Sequence, residues 1–222
     1  MTLLVLVPSH IEARVLSRAL GPGGRLEICG IGPVSAALRC ASLLRDLGPV
    51  PCLLLGVAGT RDPVLAPVGS VVRATALRNE AVGAGEGEGF IPLGEMGLDE
   101  PGLAPDLIEV LPASKMVPKA VEEALPPEDL PELLSGHMGM VATSSGTLEL
   151  ARARQRRYPD VLVEDLESHA VAQVALDAGA PLTVIRAVSN VAGDRDKTRW
   201  DLRGSLYALA DLLAKSTAEP RP

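Results

Sequence analysis

The sequence predicts an α/β fold, a sandwich of helices around a central sheet, within one domain spanning residues 1–222. Two observations carry this. Short apolar runs alternate with amphipathic stretches along most of the chain, the rhythm of strands followed by helices. With 222 residues and 47% hydrophobic content, the chain is long enough for one sizeable core and short for two ordinary domains.

The elements follow in order. Leu3–Val7 reads as a buried strand and Glu12–Leu20 as a helix, then Leu26–Cys29 as a strand and Val34–Leu47 as a helix, a βαβα beginning. Further strands are expected at Cys52–Leu55, Ser70–Ala74, Met140–Ala142, Val161–Val163 and Leu182–Val188, with helices at Thr147–Arg157, Ser168–Ala178 and Leu206–Lys215. Between Ala81 and Ser135 the pattern dissolves into Gly, Pro and acidic residues, including Gly83–Gly89 and Leu125–Pro131. Because the rhythm resumes afterwards, this segment reads as functional loop rather than interdomain linker. The tail Thr217–Pro222 reads as frayed.

A formal net charge of −7 without a Lys/Arg-dense tract gives no footprint for nucleic acid or an anionic membrane surface. The run Leu3–Val7 is too short for a signal sequence and lacks a basic flank, and no apolar stretch approaches the roughly 20 residues of a membrane span. A cytoplasmic enzyme of small-molecule chemistry is the expectation. Cys29, Cys40 and Cys52 lack CxxC spacing and read as buried free thiols. His10, His137 and His169 form no ligand set, and no GxSxG, HExxH or P-loop is present.

Several residues could carry chemistry. Gly30-Ile-Gly-Pro-Val-Ser35 follows a strand and opens a helix, which invites a dinucleotide reading, but Ser35 replaces the third glycine and no acid lies about 20 residues on. A tight strand-to-helix turn explains it better. Gly56-Val-Ala-Gly59 follows an apolar strand and would let backbone approach a ligand. Glu12 sits near a helix start, and Glu167 lies between a strand and a small-residue helix; either could be an ordinary first-turn acid. Asn190 closes the strand Leu182–Val188, at the sheet edge where ligands bind, in a chain with only one other asparagine, Asn79.

Taken in order, these pieces resemble the methylthioadenosine/S-adenosylhomocysteine nucleosidases and their relatives in the purine nucleoside phosphorylase superfamily over nearly the entire chain. The matching features are the strand then Glu12, the Gly30-Ile-Gly32 turn, Gly56-Val-Ala-Gly59, and Val163–Glu167 through Ile185–Asn190. Within that superfamily, Ser189-Asn-Val-Ala-Gly-Asp-Arg-Asp196 followed by Trp200, and Gly87-Glu-Gly-Phe-Ile-Pro-Leu93 leading to Leu98, are similar to the futalosine hydrolase family.

The resemblance implies a nucleoside phosphorylase-like three-layer sandwich around a mixed sheet. It also implies hydrolysis of the N-glycosidic bond of futalosine to hypoxanthine and dehypoxanthine futalosine, in an alternative route to menaquinone. By the same resemblance Glu12 is the general base, Asn190 contacts the purine, and Glu167 binds ribose hydroxyls. Leu166, Val57, Ala58, Gly59, Phe90 and Ser145 complete the substrate site. The family needs no metal or organic cofactor and commonly forms homo-oligomers, dimers or higher. Its phosphorylases hold phosphate with a glycine- and arginine-bearing loop where this chain has Pro8-Ser-His-Ile-Glu-Ala13, and a carboxylate there suits water rather than phosphate.

Val57 stands where the methylthioadenosine nucleosidases carry serine, Asn190 where they carry a proton-donating aspartate, and Leu166 where they carry methionine. The first two differences turn the expectation away from adenine nucleosides. An inosine-like nucleosidase or phosphorylase is the alternative enzyme reading; a non-catalytic nucleoside-binding member would be expected to lack Glu12 or Glu167. No motif distinguishes which groups hold the carboxylate of futalosine's benzoate end.

Overall fold

A computed structural model of the chain describes residues 2–21, 24–98, 106–110 and 133–217. Leu125–Pro131 and residues 218–222 of the tail lie outside the described residues.

The elements are β1 (Leu3–Val7), α1 (His10–Leu16), β2 (Gly24–Ile28), α2 (Pro33–Leu47), β3 (Cys52–Thr60), β4 (Val71–Asn79), β5 (Gly83–Ala84), β6 (Ile91–Pro92), β7 (Leu107–Glu109), β8 (Leu133–Met140), α3 (Leu148–Arg157), β9 (Val161–Asp165), α4 (Ser168–Asp177), β10 (Leu182–Val191) and α5 (Leu202–Thr217). The main sheet runs β10-β4-β8-β9-β3-β1-β2, and β7 adds to β4. It is mixed: β1, β2, β3 and β10 pair in parallel, whereas β3–β9 and β10–β4 are antiparallel. Because β10 also pairs with β3, the path β10-β4-β8-β9-β3 returns to its start and the sheet closes on itself.

Period-2 alternation explains the layers. On β1, Leu4 and Leu6 join the cluster beneath α2 and α4, while Val5 and Val7 join the one beneath α5. On β3, Leu54 and Ala58 face the first cluster, Leu53 and Leu55 the second. Strands buried on both faces read as continuous apolar runs, which is why these were legible. Cys29, Cys40 and Cys52 are free and buried; burial pushes the Cys29 thiol up to about 12, so it stays protonated.

Several elements depart from the sequence expectation: α1 ends at Leu16 rather than Leu20, β4 runs on to Asn79 rather than Ala74, and α5 starts at Leu202 rather than Leu206. The strand expected at Met140–Ala142 lies earlier, at Leu133–Met140, hidden by Gly136 and Gly139. Those glycines are there because a Cβ at 136 would meet the Leu162 side chain, and one at 139 would meet Glu80 and Arg61. The described residues of the segment 81–135 are also less irregular than its composition suggests, holding the β5–β6 hairpin, β7 and the start of β8. Helix α1 begins at His10, two residues before the expected start, because Ser9 is its N-cap and accepts from the Glu12 N–H.

Candidate active site

The C-terminal ends of β1, β3 and β10, and the segment after β9, converge on one cavity of roughly 280 Å³. Its walls include Glu12, Val57, Ala58, Gly59, Ser145, Leu166, Glu167 and Asn190. Of the residues singled out in the sequence, Phe90 lies elsewhere, on the wall of a neighbouring cavity with Glu80, Arg154 and Tyr158 that shares Ser144 with the first. The hairpin explains this: the Phe90 ring lies over Gly83, where a Cβ would collide with it.

Glu12 is the third residue of α1, so the Ser9 cap fixes its backbone while its side chain leaves the helix. One carboxylate oxygen accepts from the Ser9 hydroxyl at 2.6 Å and the other from the Val57 N–H at 3.2 Å. Gly56 makes this approach possible, since a Cβ there would meet Arg186 Nη1, Glu12 Oε1 and Pro8.

Glu167 is the N-cap residue of α4 and 4% exposed. Its Oε1 accepts from the Gly32 N–H and its Oε2 from Arg186 Nη2, each at 3.0 Å. The Gly30-Ile-Gly32 turn, with both glycines at φ near +90°, therefore presents an amide to a carboxylate. Burial pushes the Glu167 carboxyl up to about 7, helped by Asp165 and Glu12 and opposed by Arg186 and the Gly32 amide.

Arg186 is the residue the sequence reading passed over. It is fully buried on β10, bonded through Nε to Asp165 at 2.7 Å and through Nη2 to Asp165 and Glu167. Burial disfavours its charge, but Asp165, Glu167 and Glu12 more than restore it, so its pKa is raised. Nη1 has no hydrogen-bond partner among the described residues and points past Gly56, beside Glu12. Arg186 is not among the residues lining the cavity, so this open donor lies behind Glu12, and its charge acts on the site through the carboxylates it faces. The signal was present in the sequence, a lone charge inside Leu182-Thr-Val-Ile-Arg-Ala-Val188.

A second buried network lies behind the far wall. Arg61 bridges Glu164 at 3.0 Å and Glu80 at 2.8 Å, and Glu164 accepts from both the amide and the hydroxyl of Ser145. That hydroxyl also accepts from Arg154 at 2.9 Å, so Ser145 reaches the cavity with its polar groups already engaged. Asn190 sits at a register shift in the β10–β3 pairing, its Oδ1 accepting from the Ser189 hydroxyl and its Nδ2 donating to the Val191 carbonyl. One lone pair and one N–H of its amide remain for a ligand.

Comparison with known proteins gives this geometry a family. The sequence pattern of the Phosphorylase superfamily matches residues 24–218, and the chain belongs to that superfamily. Within it, the chain is 32% identical to a futalosine hydrolase of Streptomyces coelicolor, over 88% of this chain and 79% of that one. It is 31% identical to a futalosine hydrolase of Thermus thermophilus, over 97% and 95%. A solved futalosine hydrolase of Helicobacter pylori superposes with TM-score 0.78 at 18% identity, covering 97% of each chain, a likeness of fold. A 5′-methylthioadenosine/S-adenosylhomocysteine nucleosidase of Marinomonas is 27% identical over 74% and 66%. Among the described residues no cluster of His, Cys, Asp and Glu could hold a metal ion, and no helix is long and apolar enough to cross a membrane.

Proposed function

We propose that this chain is one catalytic domain that hydrolyses the N-glycosidic bond of futalosine, releasing hypoxanthine and dehypoxanthine futalosine in menaquinone biosynthesis in the cytoplasm. The observation that carries the mechanism is the placement of Glu12, Glu167 and Asn190 on one cavity, with the buried charge of Arg186 behind the two carboxylates. The likeness to curated futalosine hydrolases supports the choice of substrate.

In this reading water sits in the cavity against Glu12 and donates a proton to the carboxylate, whose negative charge Arg186 balances from behind the wall. Glu167 accepts from ribose hydroxyls and holds C1′ in reach. As the glycosidic bond breaks, its electron pair leaves with the purine and positive charge develops on the sugar, which the surrounding carboxylates stabilise. Water oxygen bonds to C1′ and one of its protons passes to Glu12. The purine departs as its anion, held at O6 by the Asn190 N–H, and takes a proton from solvent at a ring nitrogen to become hypoxanthine, while Glu12 returns its proton to solvent, so that one water is added in all. Val57, Ala58, Gly59, Leu166 and Ser145 shape the walls, and no step calls for a metal or cofactor.

A homo-oligomer fits the surface beside the cavity. Ile31 on the cavity wall, in the turn before α2, and Val34 and Leu38, one turn apart on α2, are 64–70% exposed, an apolar face a second copy would cover. The test of function is incubation with futalosine, inosine and methylthioadenosine, with and without phosphate. Hypoxanthine release from futalosine without phosphate is expected; strict phosphate dependence would favour a phosphorylase. Sedimentation velocity tests the assembly, a monomer at micromolar concentration counting against it.

A further inference from the structure

The loop from Val191 to Asp201 closes one side of the cavity and brings Arg195 and Trp200 to its wall. Among the described residues Arg195 is the one basic side chain lining the cavity, whereas Glu12, Glu164, Asp165 and Glu167 are the acidic ones, all buried. Arg195 is exposed and so sits at the opening. The cavity is thus acidic at its base and basic at its mouth.

The charges of the loop are distributed unevenly. Arg199 pairs with Asp194 and Asp196, each at 3.2 Å, and Asp196 also caps Thr198. These bonds consume the acids nearest Arg195, which has no carboxylate partner among the described residues. Its guanidinium lies 5.2 Å from the centroid of the Trp200 ring. Stacking engages the face of the guanidinium and leaves the N–H groups along its edge for another acceptor.

The scaffold is fixed. Trp200 Nε1 donates to the Asp194 carbonyl at 3.0 Å, and the Asp201 N–H donates to the Ser189 carbonyl at 2.8 Å, one residue from Asn190. Gly193, at φ +84°, packs so closely on the backbone of Thr147 and Leu148 that a Cβ has no room.

We propose that Arg195, laid on Trp200, is the specificity residue that receives the carboxylate at the distal end of the substrate. The chemistry is that of a nucleoside whose purine and ribose are uncharged and whose extension is an aryl carboxylate, matching a cavity acidic within and basic at its rim. The planar fork of arginine suits a carboxylate bidentately. This assignment rests on the futalosine reading.

The test compares futalosine with its carboxylate methyl ester and with inosine, in the parent and in Arg195→Gln. The parent should favour acid over ester about tenfold in kcat/KM, mainly through KM, and Arg195→Gln should bring that ratio to within about twofold. Arg195→Lys should retain part of the preference. The parent's KM for futalosine should rise with ionic strength while that of Arg195→Gln stays nearly flat. A ratio unchanged by Arg195→Gln overturns the assignment alone, as does parallel loss on acid and ester. If the parent cleaves inosine but neither futalosine nor its ester, the futalosine reading itself fails and this proposal with it.

Discussion

Replacing Glu12 by glutamine should separate catalysis from folding. The carboxylate accepts from the Ser9 hydroxyl at 2.6 Å and the Val57 N–H at 3.2 Å, and Ser9 Oγ receives the Glu12 N–H at 3.4 Å. A glutamine can keep both side-chain bonds. Its carbonyl accepts from Val57, and its NH₂ donates to Ser9, whose hydroxyl proton rotates away. Arg186 keeps Asp165 and Glu167 as partners. Stability should therefore change by less than about 1 kcal/mol, the scale of one exchanged hydrogen bond. The amide cannot take a proton from water, so kcat should fall about 100- to 10,000-fold, or about 3–5 kcal/mol of barrier. The assay is hypoxanthine release under saturating futalosine, paired with urea unfolding of parent and variant. A kcat within threefold of the parent would show Glu12 to be only a helix-start acid, and a loss of stability above about 2 kcal/mol would mean that inactivation reports unfolding.

Glu167→Gln should chiefly weaken ribose recognition, with a smaller loss on 2′-deoxyribose analogues; equal losses on both would contradict that role. Because burial pushes the Glu167 carboxyl up to about 7, above the ordinary glutamate value of 4.5, its ionised form costs stability. Its contribution is fully present below pH 4.5 and is lost as pH rises through 7, up to about 3 kcal/mol. Urea unfolding should show that slope in the parent and not in Glu167→Gln, while kcat/KM rises over the same range as the carboxylate forms; a slope shared by both proteins refutes the linkage. Arg186→Met should destabilise by about 3–5 kcal/mol, because Asp165 and Glu167 are left buried without a counter-charge, and a melting temperature close to the parent's would show that they are not. Asn190→Asp should shift selectivity from futalosine toward aminofutalosine by about 5- to 150-fold, since a carboxyl facing the Val191 carbonyl is driven to keep a proton that an adenine leaving group can use; an unchanged ratio of catalytic efficiencies would show that Asn190 does not read the base.

Much of this architecture was legible because burial writes itself into composition. Strands covered on both faces, such as Leu3–Val7 and Leu182–Val188, stand out as apolar runs, and α2 and α4 end within a residue of where periodicity placed them. β8 was displaced because its glycines are explained by Leu162, Glu80 and Arg61, neighbours that no local pattern contains. Phe90 lies on the wall of the neighbouring cavity, a placement set by the β5–β6 hairpin.

By itself the sequence determined the layered α/β class, the strand-end positions of Glu12, Glu167 and Asn190, and the expectation of nucleoside chemistry through its resemblance. Those are properties of short windows, where periodicity, capping and motif order act. Tertiary structure alone decided what surrounds each of these residues. Gly32 and Arg186, 135 and 19 positions from Glu167, meet its two oxygens, and Val57 reaches Glu12 across 45 positions. The electrostatics that raise Glu167 and leave Arg186 Nη1 open arise from burial and from charges brought together by sheet pairing, so they exist only once β3, β9 and β10 stand side by side.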